Sequence, residues 1–336
     1  MKKITLKLFI VLSVLLTLTQ CRPASEELRI VSFNIRMGVA DDGENSWVFR
    51  REASAAMVNE IRPDIMGLQE AFDFQAEFIK EQCPDYKGVG VGRDDGKSEG
   101  EMMMIFYNTK TVELKDWGTF WLSETPEVPS FGWDAACRRT ATWALLEMRK
   151  SGREFYYVNT HLDHQGRVAE KNGLKLIVER IDSINPKKYP MVLTGDFNVL
   201  PADAVLDDLD RIMSSARATA DVTDSIPSFN AFGKPLKHAA IGDQFVDLAT
   251  TAGLTIDYIY YSGFSKCPSF RTVTESFDGI PYPDAVAFLI NLKNSHTLSQ
   301  KIYFQIIMPV DRYSLSLKRP QIIMAYRHGK SFCSMF

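Results

Sequence analysis

The five cysteines of this 336-residue chain (Cys21, Cys83, Cys137, Cys267 and Cys333) include no C-x-x-C pair. That excludes the usual zinc and thiol-redox signatures and leaves isolated buried thiols as the expected state. There is no internal repeat and no low-complexity linker, so nothing suggests a solenoid or tethered modules. No apolar run reaches the roughly 20 residues a membrane-spanning helix needs. The 45% hydrophobic and 24% charged fractions exclude a disordered or fibrous chain. An excess of positive charge is missing as well: residues 21–290 carry 29 Lys/Arg against 41 Asp/Glu. Such an acidic body repels long polyanions, which argues against non-specific nucleic-acid binding and suits a pocket that collects cations.

The ends of the chain differ from this body. Lys2, Lys3 and Lys7 precede an apolar run from Leu8 to Leu18, and Cys21 follows Leu18-Thr19-Gln20. A basic head, a short apolar core and then polar chain predict an export signal over residues 1–20. Cys21 at that boundary resembles a bacterial lipoprotein processing site. Lipidation there would place the protein outside the cytoplasm, anchored to the cell envelope. Gln20 stands where that site favours a small residue, so a plain secretory signal is the alternative. Residues 294–336 read as an atypical basic tail, either translated out of frame or disordered.

Between these ends, the strand candidates are 28–34 (LRIVSFN), 64–70 (DIMGLQE), 101–108 (EMMMIFYN), 142–148 (TWALLEM), 154–162 (EFYYVNTHL), 191–198 (MVLTGDFN) and 255–264 (TIDYIYYSGF). Residues 51–60 predict an amphipathic helix ended by Arg62-Pro63, and Leu174, Ile177, Val178 and Ile181 predict another. Several apolar strands meet a polar cluster at one end: Asn34, Glu70, His161 to His164, Asp196 with Asn198, and Asp257. Strand ends sharing one rim are where rigid scaffolds hold chemistry.

Glu70, Asp196 and Asp257 are oxygen donors suited to Mg2+ or Mn2+. Asn34 and Asn198 can donate to phosphate oxygens or offer carbonyls, and His161 can carry a proton near neutrality. Carboxylates, a histidine and amide donors are the minimum kit for in-line attack of water on phosphorus. Each residue alone has an ordinary structural explanation.

Five motifs in order make the pattern specific: SFNIR (32–36), GLQE (67–70), NTHLDH (159–164), GDFN (195–198) and IDYI (256–259). In order and spacing they resemble the endonuclease/exonuclease/phosphatase superfamily, over about residues 28–282. VGVGRDDG (89–96), GTFWLSETP (118–126) and GWDAAC (132–137) resemble its secreted bacterial branch. The resemblance implies an α+β fold, a two-sheet α/β sandwich with flanking helices in a single domain, spanning residues 26–293. It implies Mg2+ or Mn2+ held by Glu70 and Asp196, with Asn34 beside them. Asp196 would also orient or deprotonate the attacking water, Asn198 would grip a phosphate oxygen, and His161 would serve the phosphoryl oxygens or the leaving group. Asp257 would support a histidine or the metal. Arg139 and His164 would bind substrate, with a structural hydrogen-bonding role the alternative for His164 and Asp163.

One family element is missing. Members carry Ser-Asp-His before a last strand; here Tyr282 runs directly into Pro283, and no histidine occurs between His238 and His296. The expected function is therefore a metal-dependent phosphoester hydrolase whose turnover is impaired. Its expected substrate is a small phosphate ester or lipid head group, and its expected state a monomer. The alternatives are a non-catalytic envelope protein that binds phosphate esters, and a secreted nuclease.

Overall fold

The computed structural model describes residues 26–229, 232, 238–241, 244–247, 254–276 and 288–293. The export signal, Cys21, the Tyr282–Pro283 junction and the basic tail lie outside these residues.

The chain begins with β1 (Glu27–Asn34), whose residues Leu28 and Ile30 to Phe33 are buried on both faces. Burial on both faces is the mark of a strand inside a layered sandwich. Helix α1 (Trp47–Ile61) crosses over to β2 (Ile65–Ala71), which pairs parallel with β1, Ile30 opposite Ile65. The helix is longer than the 51–60 expected, and Arg62 closes it in the left-handed region at φ +51°. After α2 (Asp73–Gln82) come β3 (Tyr86–Val89) and β4 (Met102–Asn108).

The second half repeats the plan. Edge strand β5 (Val112–Trp121) leads to β6 (Thr140–Met148), β7 (Arg153–His161), α3 (Arg167–Ile184) and β8 (Met191–Asp196). Strands β7 and β8 again pair parallel across the helix, Thr160 opposite Gly195. Short elements follow: α4 (Asp207–Asp210), β9 (Ser214–Ser215), α5 (Ala216–Thr219), and a hairpin of β10 (His238–Ile241) and β11 (Gln244–Asp247). Strands β12 (Asp257–Ser262), β13 (Lys266–Thr272) and β14 (Phe288–Lys293) complete the order.

One sheet runs β13-β14-β1-β2-β4-β3 and the other β5-β6-β7-β8-β12-β9. Leu28, Ile30, Ile65 and Ile105 of the first interlock with Leu146, Phe155, Tyr157, Val192 and Ile259 of the second. Alternate residues face the helices: Val31, Phe33, Met66 and Leu68 pack on Val58 and Ile79, while Val158 and Leu193 pack on Leu174 and Ile177. The result is a single-domain α/β/β/α sandwich, the fold class expected from the sequence. The apolar stretch over 288–293 is the strand between β1 and β13.

The seam between the sheets is polar near one end. Asn159, fully buried, donates to the carbonyls of Leu68 (2.7 Å) and Met104 (2.9 Å), and accepts from Gln69 Nε2 (2.6 Å) and Thr194 Oγ1 (3.1 Å). Gly67 makes this approach possible, because a Cβ there would lie 2.6 Å from Thr194 Oγ1 and 2.7 Å from Asn159 Oδ1.

Candidate active site

Both parallel pairs, β1–β2 and β7–β8, end at the same rim, and β12 starts there because it runs antiparallel to β8. The carboxyl ends of parallel strands are the usual location of sites in α/β sheets. Asn34 and Glu70 reach the rim from one sheet, and His161, Asp196 and Asp257 from the other.

Glu70 departs from its strand. Pairing of β2 with β4 shifts register between Leu68 and Ala71, and Glu70 takes φ +58°. A left-handed glutamate is strained, and such strain collects at functional sites. It turns the carboxylate to accept from Met37 N (2.9 Å) and Asn34 Nδ2 (2.9 Å). Arg50, buried and bonded through Nη2 to the Arg36 carbonyl (2.9 Å), fixes the loop that supplies Met37. Strand β8 likewise stops at Asp196, short of the expected Asn198, because Asn198 adopts φ +52°. Asn tolerates that region, and its backbone N–H donates to Asp196 Oδ1 (3.0 Å).

The expected residues converge. Asn34 Nδ2 also donates to Asp196 Oδ2 (3.1 Å), spanning the two sheets. Asn34 thus turns its amide nitrogen, not its carbonyl, toward the carboxylates, and its Oδ1 accepts from Arg36 N. Asn198 Nδ2 donates to His161 Nε2 (3.0 Å) and to the Leu162 carbonyl (3.1 Å). His161 Nε2 therefore acts as an acceptor, and it lies 3.6 Å from Asp196 Oδ2. Asp257 stands opposite Asp196 across the β8–β12 pair, and its Oδ1 is buried without a hydrogen-bond partner among the described residues.

Burial, then the charge of Glu70, pushes the Asp196 carboxyl up to about 7. Burial, then Asp196, raises Asp257 well above the carboxylate range. Burial, then Arg139 and Arg93, holds His161 well below its ordinary value, so it is a neutral imidazole. Ligand atoms of Glu70, His161 and Asp196 lie within 4.8 Å of one another. A divalent cation fits this crowding of acids, and an oxygen-rich donor set suits Mg2+ or Mn2+.

Arg139 and His164 meet on the adjoining wall, Arg139 Nη2 lying 3.0 Å from His164 Nδ1. Burial and Arg139 lower the His164 pKa. Asp163 is structural: its carboxylate accepts from the backbone N–H groups of Ala136, Cys137, Gln165 and Gly166. Burial alone would raise its pKa, but these donors bring it below the ordinary value. Sequence reasoning assigned nothing to Arg93, which pairs with buried Glu101 (2.8 Å) beside this wall. The only signal was the GRDDG stretch that carries it.

Comparison with known proteins agrees with the geometry. An endonuclease/exonuclease/phosphatase from Bacteroides vulgatus superposes with TM-score 0.72 at 33% identity, covering 80% of this chain and 100% of that one. A mannosyl-6-phosphatase from Bacteroides thetaiotaomicron gives 0.70 at 30% identity, covering 79% and 99%. Drosophila melanogaster Nocturnin is 26% identical over 202 residues, 54% of this chain and 30% of that protein. The Endonuclease/Exonuclease/phosphatase family model matches residues 31–279, and the chain belongs to that family of phosphoester hydrolases.

Proposed function

We propose that this protein is a Mg2+- or Mn2+-dependent phosphoester hydrolase acting on a small phosphate ester. The observation that carries the reading is the convergence of Glu70, Asp196 and His161 from two sheets to within 4.8 Å. Glu70 and Asp196 would hold the cation, with Asn34 fixing both carboxylates. When bound, the cation offsets phosphoryl charge and acts as a Lewis acid. Asp196 orients or deprotonates the attacking water. Asn198 would turn one amide N–H from His161 Nε2 to a phosphoryl oxygen. His161, neutral, serves the phosphoryl or leaving-group oxygen, and Arg139 with His164 binds the substrate phosphate. The mannosyl-6-phosphatase relative supports a small sugar phosphate over nucleic acid, as does the acidic body. The N-terminal pattern supports export and anchoring through Cys21.

The test compares wild type with Glu70→Gln by Mn2+ calorimetry and by hydrolysis of 4-nitrophenyl phosphate. Mn2+ affinity should fall by about 100-fold or more, judging from the 10- to 100-fold losses that follow removal of mere outer-shell groups. Hydrolysis should vanish in the variant and in wild type with chelator. Equal Mn2+ binding by both proteins would refute the reading.

A second reading rests on Asp257. The family pairs this carboxylate with a histidine or the metal, its Oδ1 has no partner among the described residues, and the chain has no histidine between His238 and His296. A protein that binds metal and phosphate without turnover fits that observation. It predicts Glu70-dependent binding of inorganic phosphate but no product even at high enzyme concentration.

A further inference from the structure

We propose that Arg93 is a substrate-binding residue that forms a two-guanidinium clamp with Arg139, selecting phosphomonoesters over phosphodiesters. The inference rests on the phosphoesterase reading above and names the substrate class within it.

The strand register locates Arg93. Met102 pairs with Ala71, the neighbour of Glu70, and forms an isolated bridge with Gly92. Arg93 N donates to the Glu101 carbonyl (3.0 Å), so Arg93 and Glu101 lie one step beyond the Ala71–Met102 pair, at the rim that Glu70 occupies. Trp121 Nε1 donates to the Arg93 carbonyl (2.8 Å), which pins the segment to the end of β5. Arg138 Nη1 reaches Asp94 Oδ1 (3.3 Å), so the residues next to Arg93 and next to Arg139 touch directly.

A structural ion pair alone does not account for the side chain. Arg93 Nη1 bonds Glu101 Oε2 at 2.8 Å and the side chain is 13% exposed, yet Nε is buried with no hydrogen-bond partner among the described residues. An arginine carries five N–H donors in a planar fork, and leaving one buried and unused is costly. An anion entering between Arg93 and Arg139 would use it. Bidentate Arg–phosphate pairing is the strong form of such recognition. A phosphomonoester has a second pKa near 6, so at neutral pH it is largely a dianion with three free oxygens. A diester has one charge and two free oxygens, and its second ester group would have to sit against charged donors, losing their solvation. Two guanidiniums opposite a cation therefore match the monoester and penalise the diester.

The test measures kcat/KM for 4-nitrophenyl phosphate and bis(4-nitrophenyl) phosphate in Mn2+, for wild type, Arg93→Gln and Arg93→Lys. Wild type should prefer the monoester at least tenfold. Arg93→Gln should lose 30-fold or more on the monoester and less than threefold on the diester. Arg93→Lys should fall between, keeping charge without the fork. Because Arg93→Gln strands the Glu101 carboxylate, the double variant R93Q/E101Q serves as the folding control and should show the same selectivity change. Calorimetry with inorganic phosphate on the Mn2+-loaded proteins gives a readout that needs no turnover: Kd should rise at least tenfold in Arg93→Gln and in R93Q/E101Q, with Mn2+ affinity unchanged. Equal losses on both esters, a wild-type preference for the diester, or unchanged phosphate affinity would overturn the clamp. Wild type that binds Mn2+ but not phosphate also overturns it, whereas failure to bind Mn2+ overturns the metal site beneath it.

Discussion

Replacing Asn159 with leucine keeps the number and branching of the side-chain heavy atoms, exchanges its amide for bulkier methyl groups and removes its hydrogen-bonding capacity from the seam between the sheets. Not all four of its hydrogen bonds should count equally. Gln69 Nε2 retains Ser32 Oγ (3.2 Å) and the Gly67 carbonyl (3.3 Å), and Thr194 Oγ1 retains Tyr157 Oη (2.9 Å). The Leu68 and Met104 carbonyls lose their side-chain donor in a site with no solvent. At about 1–3 kcal/mol for each of the two groups left short of a partner, the loss is about 2–6 kcal/mol, partly offset by the added apolar burial. Against a domain stability of roughly 5–15 kcal/mol this is a large fraction. Urea unfolding monitored by tryptophan fluorescence reads it as a lower midpoint at constant slope. Asn159→Asp should be worse, since a carboxylate turns lone pairs toward both carbonyls. A loss below about 1 kcal/mol for the leucine variant, or an aspartate variant as stable as wild type, would refute the reasoning about what joins the sheets.

Two further outcomes follow from the described geometry. Burial, against the opposing charge of Arg167, raises the Glu170 carboxyl from 4.5 to about 7. The folded state thus holds its proton more tightly than the unfolded one, so this contribution is complete below about 4.5 and is lost as pH rises through about 7. Glu170→Gln should remove that dependence: relative to the variant, wild type should lose on the order of 2 kcal/mol between pH 5 and 8. Thermal melts at both pH values check this, and a pH-independent difference would contradict it. At Asn198, Gly and Ala both remove the amide that meets His161, but only Ala strains the backbone at φ +52°. Asn198→Ala should be less stable than Asn198→Gly by about 0.5–1 kcal/mol after allowing for glycine's freer unfolded chain, with equal loss of phosphoester hydrolysis.

The central strands were legible because burial on both faces makes continuous apolar runs, as in IVSF of β1 and MVL of β8. The elements that escaped are those facing water. Helix α2 buries only Gln75, Ala76 and Ile79, too few for an apolar stripe, and the first half of edge strand β5 carries exposed Lys115 and Asp116. Asn34, Glu70, His161, Asp196, Asn198 and Asp257 could be chosen from motif order, and the rim brings them together. The left-handed backbone at Glu70 could not be read, because it arises from a register shift against β4. Arg93 was hidden for a similar reason: Glu101 is eight positions away in a polar loop, and the segments carrying Arg93 and Arg139 meet, through Asp94 and Arg138, only after both sheets have formed.

The bond from Asn34 to Asp196 joins residues 162 positions apart, one on each sheet. Neither half of the sequence can assemble the constellation by itself, however well its own strands pair. Closing so long a loop is slow, since its entropy is lost before the contact returns anything. Recovery of hydrolysis during refolding should therefore lag the appearance of β-structure and coincide with the last tightening of the seam. For this molecule, chemistry is a gauge of completed assembly, and a partly folded chain is silent.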